Sequence, residues 1–404
     1  MKNNASRVIA LSMLLVGCLA ASAQQAPVMK DELVAASNRF GIALLSKLTE
    51  AGYGQNVFIS PTSISMCLSM VYNGASGKTQ TGMAKALQLS GMSADILSRT
   101  NGVLIQDLVA VDPKVKLEIA NSLWAEQGIA FQKPFLAVNQ QYFKARVTTL
   151  NFADPEAVKT INAWVSENTN GLIREIVDRI DPLDILFLIN AIYFKGTWTK
   201  QFNKDVTHEQ DFYLLDGTTA RRWMMAQEGK YRYFAAKGFQ SVSLPYGSGR
   251  LSMYVFVPEE KAGLPEFLRQ LTPENWDKWL AGFYEMSGDV TLPRFKLEYE
   301  TSLNDALTGL GMAEAFSPGK ADFSKLVKRP IGAYISEVKH KTFVEVNEEG
   351  TEAAAVTSTR VAMTSIQPPH ERFNIVADHP FFCAIRDNTS GAILFMGAIT
   401  NPKQ

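Results

Sequence analysis

Residues 348–372 read EEGTEAAAVTSTRVAMTSIQPPHER, and this stretch lies between two strongly apolar segments. It has no helical stripe of apolar residues and no tight turn, and Pro368-Pro369 stands near its end. An irregular connection of about 25 residues inside a compact domain is uncommon, and is usually functional or disordered. The flanks are regular. Residues 334–346 alternate, which places Val338, His340, Thr342, Val344 and Val346 on one face of a strand. Residues 381–385 and 392–399 read as a closing pair of strands around the turn signal Asp387-Asn388-Thr389-Ser390-Gly391.

Further toward the N-terminus, residues 185–194 are almost continuously apolar, as expected of a strand buried on both faces. Residues 251–257 read as another strand. Residues 31–51 read as a helix with Leu33, Phe40, Leu44 and Leu48 near helical spacing, closed by Gly52. Ser60-Pro61 pairs an N-cap residue with proline at the first helical position. The helix it opens runs through Met66 and Met70 and stops near Asn73-Gly74. Helices gather early and strands late, so the expected class is α+β with a large mixed sheet. No repeat, low-complexity tract or Pro/Gly/Ser linker divides residues 24–404, so one domain is expected.

Charge excludes some functions. The 404 residues carry 40 Lys plus Arg against 40 Asp plus Glu, with neither a basic excess nor an acidic block, so no nucleic-acid partner is expected. Lys2 and Arg7 precede an apolar run over residues 8–19, broken only by Ser12, Gly17 and Cys18. That run is too short to span a bilayer but suits a secretory signal over residues 1–23, so the chain is expected to be exported. Two cleavage readings stand. Ala21-Ser22-Ala23 before Gln24 fits an ordinary signal site, whereas Leu15-Val16-Gly17-Cys18 resembles the bacterial lipoprotein box, which would place lipid on Cys18. The lipoprotein reading is favoured, with an outer-membrane or cell-surface location, and membrane contact only through that lipid. Cys67 and Cys383 lie in apolar surroundings and are expected to be buried free thiols, although exported chains can form disulfides.

Enzyme signatures are missing. The four histidines are His208, His340, His370 and His379, and no Cys or His spacing resembles a metal site. Gly247-Ser248-Gly249 lacks the spacing of a nucleophile elbow. Ser317-Pro318-Gly319-Lys320 matches Ser-x-x-Lys but has Pro and Gly where that motif needs a helix, so it reads as an exposed turn. No metalloprotease motif, phosphate loop or dinucleotide fingerprint occurs, and neither catalysis nor a cofactor is expected.

Five segments, in order along the chain, resemble the serpin family of protease inhibitors. They are Ser60-Pro61-x-Ser63-Ile64, residues 190–198 (NAIYFKGTW), residues 340–355 (HKTFVEVNEEGTEAAA), Ile375-x-Ala377-Asp378-His379-Pro380-Phe381-Phe382, and Phe395-Met396-Gly397. The resemblance implies a serpin fold: a single domain with three β-sheets, about nine helices and an exposed reactive-centre loop near residues 348–372. It also implies a suicide-substrate inhibitor. A protease would attack the loop and form an acyl-enzyme with the residue before the scissile bond. The freed loop would then enter the main sheet as a new strand and carry the protease with it, which needs a kinetically trapped native state.

Insertion makes a demand that the loop meets. The hinge implied by the resemblance is Glu348, Glu349, Gly350, Thr351, Glu352, Ala353, Ala354 and Ala355. With a period of two, Thr351, Ala353, Ala355, Thr357, Thr359 and Val361 face inward after insertion, and all are small or β-branched and uncharged. Glu352 and Arg360 fall on the outward face. A charge at position 351 would be buried unpaired and would slow insertion. Gly350 supplies backbone freedom closed to other residues. The family's spacing, counted from Glu348, places the reactive bond at Thr364–Ser365, with Met363 as the alternative one residue earlier. Thr364 suits elastase-like or subtilisin-like proteases, and Met363 chymotrypsin-like or cathepsin-type enzymes. Arg360 would attract trypsin-like enzymes, mostly as a substrate site, because cleavage there leaves four fewer residues to insert.

The resemblance also assigns Ser60, Ser63, Asn190 and His340 to the shutter, where the sheet opens, and Trp198 to the breach, where insertion begins. Arg294 is expected to pair with Glu348 at the breach. Residues 79–110 hold only Lys85 and Arg99 as basic residues, so heparin is not an expected partner. A monomer is expected. The competing reading is a non-inhibitory member acting as a binder or chaperone, against which the small uncharged hinge argues.

Overall fold

The apolar run and the alternating strand become neighbours. A computed structural model describes residues 12–52, 54–109, 112–328, 332–351 and 371–403, with side chains from residue 29 onward. The strand Leu186–Thr197 pairs in parallel with the strand Ile335–Val346, with Asn190 opposite His340. On its other edge Leu186–Thr197 runs antiparallel to Val115–Glu126, which pairs in parallel with Arg146–Leu150. Phe295–Ser302 closes the far edge against Ile335–Val346. Above the Phe343–Tyr193 pair the two parallel strands separate. The two-residue strand Gly350–Thr351 fills the opening, antiparallel to both neighbours.

Both faces of this main sheet are covered, which explains why residues 186–194 lack polar alternation. On one side lies the helix Pro61–Tyr72, buried along its whole length. Ser60 caps it by accepting a hydrogen bond from the Ser63 N–H at 3.3 Å, and Pro61 occupies the first turn, as its sequence predicts. On the other side the helix Glu156–Asn168 lays Ile161, Trp164 and Val165 over Trp124, Phe187, Ile189 and Phe343. Phe343 is therefore buried although it points away from the Val338–Val346 face. The alternation of residues 334–346 describes one face, and the second helix covers the other.

The remaining strands form one hydrogen-bonded path. It runs from Val57–Ile59 through Ile393–Ile399, Phe381–Asp387, Leu251–Pro258, Phe239–Tyr246, Thr219–Ala236 and Tyr284–Pro293 to Phe373–Val376. His208–Tyr213 pairs beside the path on Thr219–Ala236. The 18-residue strand Thr219–Ala236 pairs with His208–Tyr213 through its first residues and with Phe239–Tyr246 through its last ones. One continuous strand thus joins two of the three expected sheets. Nine α-helices lie among the described residues. The first spans Ser12–Ala51 and so begins earlier than the expected residue 31. Asn38 fixes it to the closing hairpin, donating to the Gly391 carbonyl at 2.9 Å and accepting from the Ile393 N–H at 3.0 Å. Cys67 and Cys383 are buried and free, and burial pushes both thiols up to about 12.

Candidate functional site

The seam between the two parallel strands carries a buried polar network. The Ser60 N–H donates to His340 Nε2 at 3.2 Å, so the ring proton sits on Nδ1 and is donated to Asn190 Oδ1 at 2.6 Å. Asn190 Nδ2 donates to Ser63 Oγ and to Asn121 Oδ1, the latter at 2.6 Å. His340, Asn190, Ser60 and Ser63 are all fully buried. The four residues assigned to the shutter are therefore joined in one chain of hydrogen bonds. Burial pushes the His340 pKa down to about 3, so the ring remains neutral and keeps both partners. Asn121 is a member that sequence reasoning missed. Its only local signal is one amide among the apolar residues of the Val115–Glu126 strand.

A network of this kind is costly to leave half made. A buried donor or acceptor without a partner costs about 1–3 kcal/mol, more than a satisfied hydrogen bond contributes. The chain of bonds crosses the seam at which the sheet would part. Breaking part of it would leave buried polar groups without partners.

At the top of the seam the chain turns back. Asn347 Oδ1 accepts from the Glu349 and Gly350 N–H groups at 3.0 and 3.2 Å, closing a turn over residues 347–350. Trp198 holds this turn twice: Nε1 donates to the Asn347 carbonyl and the backbone N–H to the Glu349 carbonyl, each at 2.9 Å. The Glu348 carboxylate is buried and accepts from Arg294 Nε and Thr207 Oγ1, each at 2.6 Å. The expected breach pair of Arg294 and Glu348 is present. Lys204 pairs with Glu349 Oε1, while Glu349 Oε2 is buried without a partner. Thr207 and Lys204 had no sequence signal, since each lies in an irregular polar stretch.

Here the structure corrects one expectation. The exposed loop was expected to begin near Glu348, and Thr351 to enter the sheet only after cleavage. Instead Glu348, Glu349, Gly350 and Thr351 are already buried in the uncut chain. The reasons are local. Arg294 and Lys204 compensate the two carboxylates, and Gly350 has no side chain to obstruct entry. A Cβ at Gly350 would lie 2.0 Å from the Gly196 carbonyl oxygen, and its φ of +150° disfavours other residues. Glu352, Ala353, Ala354, Ala355, Met363, Thr364 and Ser365 lie outside the described residues, as does the side chain of Cys18. At the far end Arg372 is anchored by both carboxylate oxygens of Asp289 at 3.2 Å.

Two expected outcomes follow from this geometry. Below about pH 6.5 an unfolded chain protonates His340 and the folded chain does not until about pH 3, so stability falls as pH drops through that window. Chemical denaturation at pH 7 and 4.5 should show the wild type losing roughly 2 kcal/mol more than His340→Gln. Equal losses in the two proteins would remove His340 as the cause. Arg294→Ala leaves the Glu348 carboxylate with Thr207 alone and should free the turn. Native gels over a warming time course should then show several-fold faster spontaneous inactivation and polymerisation. An unchanged rate would count against the ion pair as a restraint.

Comparison with known proteins supports the same assignment. The family description Serpin (serine protease inhibitor) matches residues 35–402. The leukocyte elastase inhibitor of Bos taurus is 39% identical over 384 residues, covering 92% of this chain and all of that one. The human leukocyte elastase inhibitor is 36% identical over 387 residues, with 92% and 100% coverage. Among solved structures, tengpin, a thermophilic serpin in its native state, matches with a TM-score of 0.84 at 34% identity, covering 92% of this chain and 94% of tengpin. With the hinge paired at the top of the main sheet and the buried network at its seam, the chain belongs to the serpin family.

Proposed function

We propose that this serpin is an inhibitor that traps its protease by inserting the cleaved loop into the main sheet. The observation that carries the reading is Gly350–Thr351, hydrogen-bonded between Leu186–Thr197 and Ile335–Val346 in the antiparallel sense an inserting strand requires. The protease's serine Oγ attacks the Thr364 carbonyl carbon, the bond to the Ser365 nitrogen breaks, and that nitrogen leaves as a protonated amine. The ester now holds the enzyme on the loop. Zippering from Thr351 buries Ala353, Ala355, Thr357, Thr359 and Val361 and parts the His340–Asn190 seam. The enzyme is displaced before water resolves the ester.

Thr364 in the enzyme's primary pocket favours elastase-like or subtilisin-like targets, and Met363 in that place would favour chymotrypsin-like ones. The resemblance to leukocyte elastase inhibitors supports the first class. We place the chain outside the cytoplasm, carried there by the N-terminal signal, cut before Cys18 and held at the membrane by lipid on that residue.

Purified protein mixed with elastase, chymotrypsin and trypsin and run on denaturing gels should give an SDS-stable complex with elastase. Mass analysis of the released peptide should place the cut at Thr364–Ser365. Cleavage without a complex would overturn the inhibitory reading in favour of a binding or chaperone role. For the location, palmitate labelling of expressing bacteria should mark the protein and be lost in Cys18→Ala. Persistence of label in the variant, or its absence in the wild type, would overturn the lipid anchor.

A further inference from the structure

Thr351 is fully buried in the uncut chain, and its hydroxyl has a partner from the other sheet. Tyr246, the last residue of the strand Phe239–Tyr246, places its hydroxyl 2.9 Å from Thr351 Oγ1, and it too is fully buried. The ring is fixed from two sides. It stacks on Trp198 at 4.2 Å between centroids and 13° between planes, and meets Phe194 edge-on at 5.1 Å. The backbone beside it is tied to the main sheet as well, since Thr199 N–H donates to the Pro245 carbonyl and Gly247 N–H to the Thr197 carbonyl, both at 2.8 Å.

The main sheet leaves room for this ring at one residue. Thr351 pairs with Gly196, and a Cβ on Gly196 would lie 2.9 Å from Tyr246 Cδ1. The same Cβ would lie 2.9 Å from Phe194 Cζ, so a larger residue there would force one of these two rings to shift. Burial, against the opposing hydrogen bond from Thr351, raises the phenol well above its ordinary value, so the hydroxyl keeps its proton.

We propose that Tyr246 is a positioning residue that latches the hinge in the sheet before cleavage, so that insertion starts from a strand already two residues long. The consequence for inhibition rests on the inhibitory reading above; the latch itself does not. Starting a strand is the slow part of adding one, because backbone freedom is lost before the ladder bonds accumulate. With Thr351 seated, each further residue adds to an existing ladder. Without the latch the hinge leaves the breach more often. Insertion then starts later relative to hydrolysis of the acyl-enzyme, and more inhibitor is consumed as substrate.

The test uses Tyr246→Phe, which keeps the stacked ring, and Thr351→Val, which keeps the shape of Thr351. The double variant and Thr351→Ser complete the set. Hydrogen exchange of a peptide spanning residues 347–351 in the uncut protein should be about fivefold faster in either single variant, the factor of an ordinary net hydrogen bond. It should be no faster in the double variant and close to wild type in Thr351→Ser. Against elastase the stoichiometry of inhibition should rise in the same order. Wild-type exchange in both single variants, or additive effects in the double, would overturn the latch. A merely structural role would lower the melting temperature additively and raise exchange equally in the Leu186–Thr197 strand, which also overturns it. If the wild type forms no complex with any protease, the inhibitory reading fails, while exchange at residues 347–351 still decides the latch. If Tyr246→Phe does not fold, Thr351→Val decides the same question from the other end of the bond.

Discussion

The pairing of two parallel strands, Leu186–Thr197 and Ile335–Val346, is the constraint on which the rest of this molecule depends. Parallel ladders are slightly weaker per residue than antiparallel ones. A third strand laid between these two would run antiparallel to both and replace one ladder by two. Gly350–Thr351 already makes that exchange at the top of the seam. Below it, the neutral His340 and its partners Asn190, Ser60 and Ser63 span the join. Their protein-wide burial makes a partly broken network unfavourable. The closed seam is therefore well satisfied, and a partly parted one is not.

The turn at residues 347–350 brings two adjacent carboxylates into a buried corner. Burying a charge costs heavily unless it is paired and hydrogen-bonded. Glu348 meets this with Arg294 and Thr207, whereas Glu349 has Lys204 on one oxygen and nothing on the other. The corner is thus held firmly on one carboxylate and loosely on the next. Trp198 joins this corner to the second sheet by donating to the turn and stacking on Tyr246. Through that contact the turn is tied to a strand that belongs to a different sheet. Displacing the turn would for that reason not be a local event.

Much of this was legible from the chain. The apolar run, the alternating strand and the Ser60-Pro61 helix start are each written in a dozen residues or fewer, and each appears close to the expected bounds. The serpin motifs carried Ser60, Ser63, Asn190, His340, Trp198 and Glu348, and Arg294 was expected as the partner of Glu348. Asn121, Thr207, Lys204 and Tyr246 were not legible. Each contributes to the site across more than fifty residues of sequence and sits in a stretch whose own pattern has another explanation.

The sequence by itself determined the elements and the chemistry of the hinge, because periodicity, capping and the absence of charge at alternate positions are short-range properties. Only the tertiary structure decided that Gly350 and Thr351 lie inside the breach in the uncut chain. That outcome turns on the missing Cβ atoms at Gly350 and Gly196, on Arg294 compensating Glu348, and on a tyrosine hydroxyl arriving from another sheet. These groups come from distant parts of the chain, and their distances exist only once the chain has folded.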